Sequence, residues 1–274
     1  MAQPENKLRI PETLRKVKNI IGVFSAKGGV GKSAISLQLA LSLKRSGLKV
    51  GLVDADIYGP SQPVMLNSAP GELKLTQDKI IEPLEKEGIK FISMGLISNE
   101  KMPVIWRGPM VSGAVMQLLS QTEWGELDYL IIDTPPGTGD VQLTLLQRIP
   151  LTSSIVVTTP QKVSISDCKK GIEMIYKLNV PISGLIENMS WFQPDKQSKK
   201  YFLFGKVGGK NLAEEYSLDL LAQIPLVELG GDTDFQNNHI LKDEFDKISD
   251  KLKDSIKNLK EKRSDGIPQI NITK

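Results

Sequence analysis

The chain has 274 residues, a net charge of +3, 40% hydrophobic residues and 24% charged ones. That is enough for one large α/β domain or two small ones, with the composition of a soluble globular protein that buries a sizeable core. No run of about 18 apolar residues is present, which excludes a membrane-spanning helix. The single cysteine excludes any intrachain disulfide, and the charge is too modest to argue for nucleic acid by itself.

Residues 1–18, MAQPENKLRIPETLRKVK, carry two glutamates and no apolar core, so they read as an N-terminal extension and not as a secretory or transit leader. With the lone cysteine they fit a cytoplasmic location. Residues 19–263 read as one domain. Apolar runs predict strands over 19–25, 49–54, 90–94, 128–133, 154–159, 182–187 and 219–224. Several are almost continuously apolar, as parallel strands covered on both faces are. Helical periodicity falls between them, over 31–46, 110–121, 140–148, 164–178, 210–216 and 238–262. The expected fold is therefore α/β, a doubly wound and mostly parallel sheet flanked by helices. In the last helix Ile248, Leu252, Ile256 and Leu259 make one narrow apolar stripe. It reads as the docking face of a terminal helix; a membrane-surface helix needs bulkier anchors and a less mixed polar face. Residues 264–274 read as a loose tail.

The first predicted strand runs into SAKGGVGKS, Ser25–Ser33, and then into a helix, the context of a phosphate-binding loop. Gly28, Gly29, Val30 and Gly31 present backbone N–H groups to phosphate oxygens, helped by the helix N-terminus. Lys32 is placed to reach the β- and γ-phosphates, Ser33 to ligate Mg²⁺, and Ala34 to lie beside the nucleotide. Ala26 stands where the usual loop has its first glycine, and a second lysine, Lys27, follows it. Two further strands end in carboxylates, Asp54 in LVDADIYGPS and Asp133 in LIIDTPPGTGD. Carboxylates at adjacent strand ends converge on the crevice where α/β sheets bind ligands. Asp54 and Asp133 are candidate magnesium ligands, partly through water, and Asp56 is the candidate for orienting an attacking water.

KGGVGKS, DADIYGPSQP, WRGPMVSGAVMQLL, DTPPGTGD and ENMSWF together resemble the Mrp/ApbC family of ATPases. That family lies within the deviant-Walker-A class that includes MinD, ParA and nitrogenase iron protein, and the likeness runs from about Lys18 to Pro225. The resemblance implies ATP and Mg²⁺ as ligands, a homodimer, and Lys27 reaching the partner's nucleotide in trans. It also implies that Asn188 recognises the adenine edge, and that the activity serves iron–sulfur cluster assembly or transfer to apoprotein clients. Slow, dimer- or partner-dependent hydrolysis of ATP is the implied reaction.

The family's CxxC, which holds a bridging [4Fe–4S] cluster between subunits, is missing. Its two positions fall on Pro194 and Gln197, neither of which supplies a thiolate. Cys168 lies on a predicted helix away from that loop, and His239 has no cysteine or histidine near it in sequence. No iron–sulfur ligand is therefore expected, and a cysteine-bearing relative enters as a possible partner in a mixed dimer. The other reading is an ATP-switched positioning protein of the MinD or ParA kind. Its DNA-binding form would use Lys196, Lys199, Lys200, Lys206 and Lys210, which read more simply as a solvated loop; neither membrane nor nucleic acid is an expected partner.

Overall fold

The computed structural model describes residues 11–69, 73–75, 80–97, 108–194, 197–227 and 239–264. Trp106, Arg107 and Lys196, most of the loop before the last helix, and the 265–274 tail lie outside the described residues. Ten strands and eight α-helices are described. They are β1 (Ile20–Phe24), α1 (Lys32–Arg45), β2 (Val50–Asp54), α2 (Gln62–Met65), β3 (Lys74–Leu75), β4 (Ile81–Glu82), β5 (Leu84–Lys86) and β6 (Ile89–Ser93). There follow α3 (Met94–Ile97), α4 (Gly108–Gln121), β7 (Tyr129–Asp133), α5 (Asp140–Arg148), β8 (Ser153–Thr158) and α6 (Lys162–Lys177). The chain then forms β9 (Ile182–Glu187), α7 (Gly208–Glu215), β10 (Leu220–Gln223) and α8 (His239–Ser264).

Eight strands form one sheet in the order β10-β9-β8-β1-β7-β2-β6-β5. All its neighbours are parallel except β5, an antiparallel edge strand on β6. The strands β1, β2, β7 and β8 are buried along their whole length, which is why they read as apolar runs with no alternation. Two cores cover the two faces. One contains Leu118, Leu145, Ile172 and Leu212 from α4, α5, α6 and α7. The other contains Ile35 and Leu39 of α1 against Leu241, Phe245, Ile248, Leu252 and Ile256 of α8.

The apolar stripe of α8 is thus a docking face. Ser42 donates to the Phe245 carbonyl at 3.0 Å and to Asp246 at 2.7 Å, and Arg45 pairs with Asp246 at 2.5 Å. Residues 11–18 are not detached either. Leu14 is buried in the first core, and Thr13 Oγ1 donates to the carbonyls of Leu119 and Ser120 at the end of α4. No described helix is long and apolar enough to cross a membrane.

The predicted strands and helices all occur, with ends displaced by at most two residues. The exceptions are elements the periodicity did not show: the two-residue ribbon β3–β4, the edge strand β5, and the single turns α2 and α3. Each is too short to establish a period. Topology sets the site. β1 lies between β7 and β8, and α1 and α5 leave toward opposite faces, so the strand order reverses there and opens a crevice at the carboxyl ends.

Candidate functional site

The loop from β1 to α1 turns through two glycines with left-handed backbone, Gly29 at φ 78° and Gly31 at φ 83°. Gly31 is the N-cap of α1 and no side chain caps that end. The first N–H groups of the helix therefore face the loop, the arrangement that receives an anion. Ala26, in place of the usual glycine, lies against α6 where that helix has Gly171; a β-carbon on Gly171 would be 3.5 Å from that of Ala26.

Lys27, Gly28 and Gly29 are exposed on the loop, whereas Lys32 is buried. Lys32 Nζ pairs with Asp133 Oδ1 at 2.5 Å. Asp133 also accepts from Ser36 Oγ at 3.0 Å and, on Oδ2, from Gln62 Nε2 at 3.1 Å. Ser36 is four residues beyond Lys32 and shares its helix face. Asp54 stands in register beside Asp133 on the neighbouring strand. Its Oδ1 accepts from the Asp56 N–H, and its Oδ2 from Ser93 Oγ and the Gln62 N–H. Burial, and then the charge of Asp133, push the Asp54 carboxyl up to about 8; the hydrogen bonds from Asp56 and Ser93 and the charge of Lys32 act the other way.

Asp56 Oδ1 accepts from the N–H groups of Tyr58 and Gly59, each at 3.2 Å, and so shapes the loop between β2 and α2. After β7, Gln142 of α5 donates to the Pro135 carbonyl at 2.5 Å and to the Ser25 carbonyl at 3.3 Å, joining the two loops across the crevice. Between them is a cavity of about 440 Å³ lined by residues 27–34 together with Asp56, Gly59, Ser61, Met65 and Pro136. Every predicted loop residue, Lys27 to Ala34, is at this cavity, as is Asp56. Asp54 and Asp133 are fully buried behind it, and Asp133 connects to it through Lys32, which lines it.

Asn188 approaches from the other side: its Nδ2 donates to the Val30 carbonyl at 2.9 Å. Its turn is fastened by Glu187, a buried carboxylate that accepts from the Gly209 N–H at 2.5 Å, from Gln223 Nε2 at 2.7 Å and from Ser190 Oγ at 2.8 Å. Met189, within that turn, takes φ 55°, a conformation few side chains adopt. Sequence reasoning missed Gln62, Ser36, Ser93, Gln142 and Glu187. Ser36 carried a signal in its helical spacing from Lys32, and Gln62 and Glu187 lay within the quoted stretches DADIYGPSQP and ENMSWF without a role of their own.

The donors available fit a hard cation. Ser33, Asp54 and Asp133 are oxygen donors of the kind that hold magnesium beside phosphates. Gln62 Oε1 is a buried acceptor with no hydrogen-bond partner among the described residues. An iron–sulfur cluster is not fitted. Pro194 and Gln197 are exposed and offer no thiolate. Cys168 is buried on α6, where desolvation pushes its thiol up to about 12. Among the described residues no group of three or more His, Cys, Asp or Glu side chains stands together to hold a metal.

A model of the ParA group described as the NUBPL iron-transfer P-loop NTPase matches residues 16–260. The chain belongs to this family. It is 49% identical over 214 residues to an iron–sulfur cluster carrier protein of Pseudomonas fragi, covering 78% of this chain and 75% of that one. A carrier protein of Methanocaldococcus jannaschii is 49% identical over 228 residues, with 82% and 78% covered. The iron–sulfur cluster transfer protein NUBPL of Dictyostelium discoideum is 47% identical over 211 residues, with 77% and 65% covered. The chain spans between 58% and 75% of the first five curated relatives it matches. Among solved structures, a nucleotide-binding protein of Archaeoglobus fulgidus in complex with ADP is 31% identical, with a TM-score of 0.69 and 88% and 90% of the two chains covered. MinD of Pyrococcus horikoshii, complexed with Mg-ADP, superposes with a TM-score of 0.62 at 18% identity over 85% and 95% of the chains, and shares the fold.

Proposed function

We propose that the chain is a Mg²⁺-dependent ATPase that works as a homodimer, or beside a cysteine-bearing relative, in the assembly or transfer of iron–sulfur clusters to apoproteins. The observation that carries the ATPase reading is the buried Lys32–Asp133 pair at the foot of a glycine loop, with Asp54 in register beside it. The loop N–H groups and Lys32 bind the phosphates. Ser33, Asp54 and Asp133 would hold Mg²⁺, partly through water, and the ion would supply positive charge against the phosphate oxygens. Asp56 orients the attacking water from a loop whose shape it also maintains.

Lys27 is exposed and makes no ion pair with any described residue. It is free to place its charge on the partner's γ-phosphate, the electrostatic role an arginine finger fills elsewhere. Asn188 Nδ2 has two hydrogens and gives one to Val30, which leaves a donor and an acceptor for the adenine edge.

The relatives named as cluster carriers and transfer proteins support the cluster role. With Pro194 and Gln197 in the loop after β9, the cluster is cargo that this chain does not hold on its own thiolates. Anaerobic incubation with iron, sulfide and reductant, followed by iron quantification and an ATPase assay, tests this. ATP hydrolysis without retained iron is expected for the chain alone, and iron retention once a cysteine-bearing relative is added. About four irons per dimer, held by the chain alone with a cluster absorption, would overturn the division of labour. No observation favours a membrane-positioning role, because the apolar stripe of α8 is buried against α1.

A further inference from the structure

Gln62 opens α2, at the end of the loop that begins with Asp56, and it is completely buried. Its backbone N–H donates to Asp54 Oδ2 at 3.3 Å. Its side-chain Nε2 donates twice, to the Ser33 carbonyl at 2.8 Å and to Asp133 Oδ2 at 3.1 Å. The residue that follows the 55–61 loop therefore touches both strand-end carboxylates assigned above to magnesium and the backbone carbonyl of Ser33 in the first turn of α1. The amide orientation follows from the chemistry. Turned over, Oε1 would face a carbonyl and a carboxylate, two acceptors with no hydrogen to offer.

As it stands, Oε1 is buried and has no hydrogen-bond partner among the described residues. A buried acceptor left unpaired lowers stability unless something supplies a hydrogen. Near two carboxylates and a phosphate loop, the donor that fits is water carried on a hard cation, since magnesium keeps several of its waters when bound. A direct cation ligand would be a second use of the same oxygen.

We infer that Gln62 is a positioning residue for magnesium: its amide nitrogen holds Asp133 and Ser33 in place, and its carbonyl oxygen accepts from the cation's water. The inference rests on the magnesium–nucleotide reading above. Through α2 the same contacts transmit metal occupancy to the 55–61 loop, where Tyr58 is exposed. Gln62 is then the connection between the nucleotide's metal and the surface of the protein.

The test uses the full chain and a fluorescent ADP analogue, titrated in excess chelator and across a magnesium series. Gln62→Met keeps the length and apolar stem and removes both polar atoms. Gln62→Met is expected to bind the analogue as the parent does in chelator, while the magnesium needed for half of the affinity gain rises about tenfold. Cleavage after Tyr58 by chymotrypsin is the second readout: magnesium with ADP changes it in the parent and not in Gln62→Met. Equal loss of affinity with and without magnesium would mean a purely structural residue, and an unchanged magnesium midpoint would mean no role at all; either overturns the inference. A parent whose ADP affinity ignores magnesium overturns the magnesium reading itself, a result distinguishable because it appears before any substitution is made.

Discussion

Asn188 leans over Gly31 so closely that a β-carbon on the glycine would collide with its Nδ2, while the same amide holds the Val30 carbonyl. The turn after β9 and the phosphate loop are thereby fitted to each other, with the Asn188 amide filling the space that a β-carbon on Gly31 would need. Gly31→Ala meets two penalties, the collision and a left-handed φ of 83°. The backbone part alone costs about 1–2 kcal/mol. Binding of a fluorescent ADP analogue is expected to be lost and the urea midpoint to fall. Adding Asn188→Ala should return part of the stability, because only the collision is relieved. A double-mutant cycle by urea denaturation reads the coupling, and strict additivity would show that the two residues do not meet.

Lys32 faces a choice between Asp133 and phosphate. In Asp133→Asn the ion pair at 2.5 Å is gone and a buried ammonium is left with weaker partners. Removing one partner of a buried pair typically costs about 3–5 kcal/mol. The ligand-free protein is expected to melt earlier, and ADP in chelator to raise the melting temperature by more than it does in the parent. The magnesium effect should vanish in the same variant. A smaller ADP-induced shift in chelator would show that Asp133 does not compete for Lys32.

The two lysines of the loop separate by exposure. Lys32→Ala is expected to abolish nucleotide binding. Lys27→Ala should leave binding of ADP within about twofold, a difference under 0.5 kcal/mol, and abolish turnover together with the ATP-dependent dimer. Steady-state phosphate release and size-exclusion chromatography with ATP measure both. An unchanged rate in Lys27→Ala would remove the trans-lysine mechanism.

Cys168 is expected to be inert in the folded protein. Its thiol is raised from 9.0 to about 12 because burial penalises the thiolate, the reactive form. The folded pKa lies above the unfolded one, so the contribution to stability is complete below about pH 9 and is lost as the pH rises toward 12. A chromogenic disulfide reagent at pH 8 should react slowly with native protein and at once in denaturant. Cys168→Ala should flatten the fall in stability above pH 9. Fast native labelling at pH 8 would contradict the burial.

The sheet and the phosphate loop were legible in the sequence because their signals are local. A strand buried on both faces is a continuous apolar run, and a loop that wraps phosphate needs its glycines, lysine and serine in consecutive positions. What was not legible depends on residues that meet only after folding. Gln62 bonds Ser33 and Asp133, 29 and 71 residues away, and Glu187 bonds Gly209 and Gln223, 22 and 36 away. No spacing rule connects such pairs. β5 was missed for a different reason: three half-buried or exposed residues on the antiparallel edge give no run to read. For Asn188 the motif located the residue, and the fold shows that half of its donor capacity already belongs to Val30.

α1, whose first turn carries Lys32 and Ser33, has its far half covered by α8. The bond between Ser42 and the Phe245 carbonyl spans 203 residues. During synthesis the phosphate loop and its helix leave the ribosome first, yet Leu39, Leu43 and their neighbours wait for Phe245 and Leu252 before their apolar surface is closed. Long loop closure of this kind is slow and leaves hydrophobic surface exposed in the interval. A chain interrupted between Asn188 and α8 would carry a complete nucleotide motif on an uncovered helix, making it a substrate for chaperones or proteases before its fold is closed.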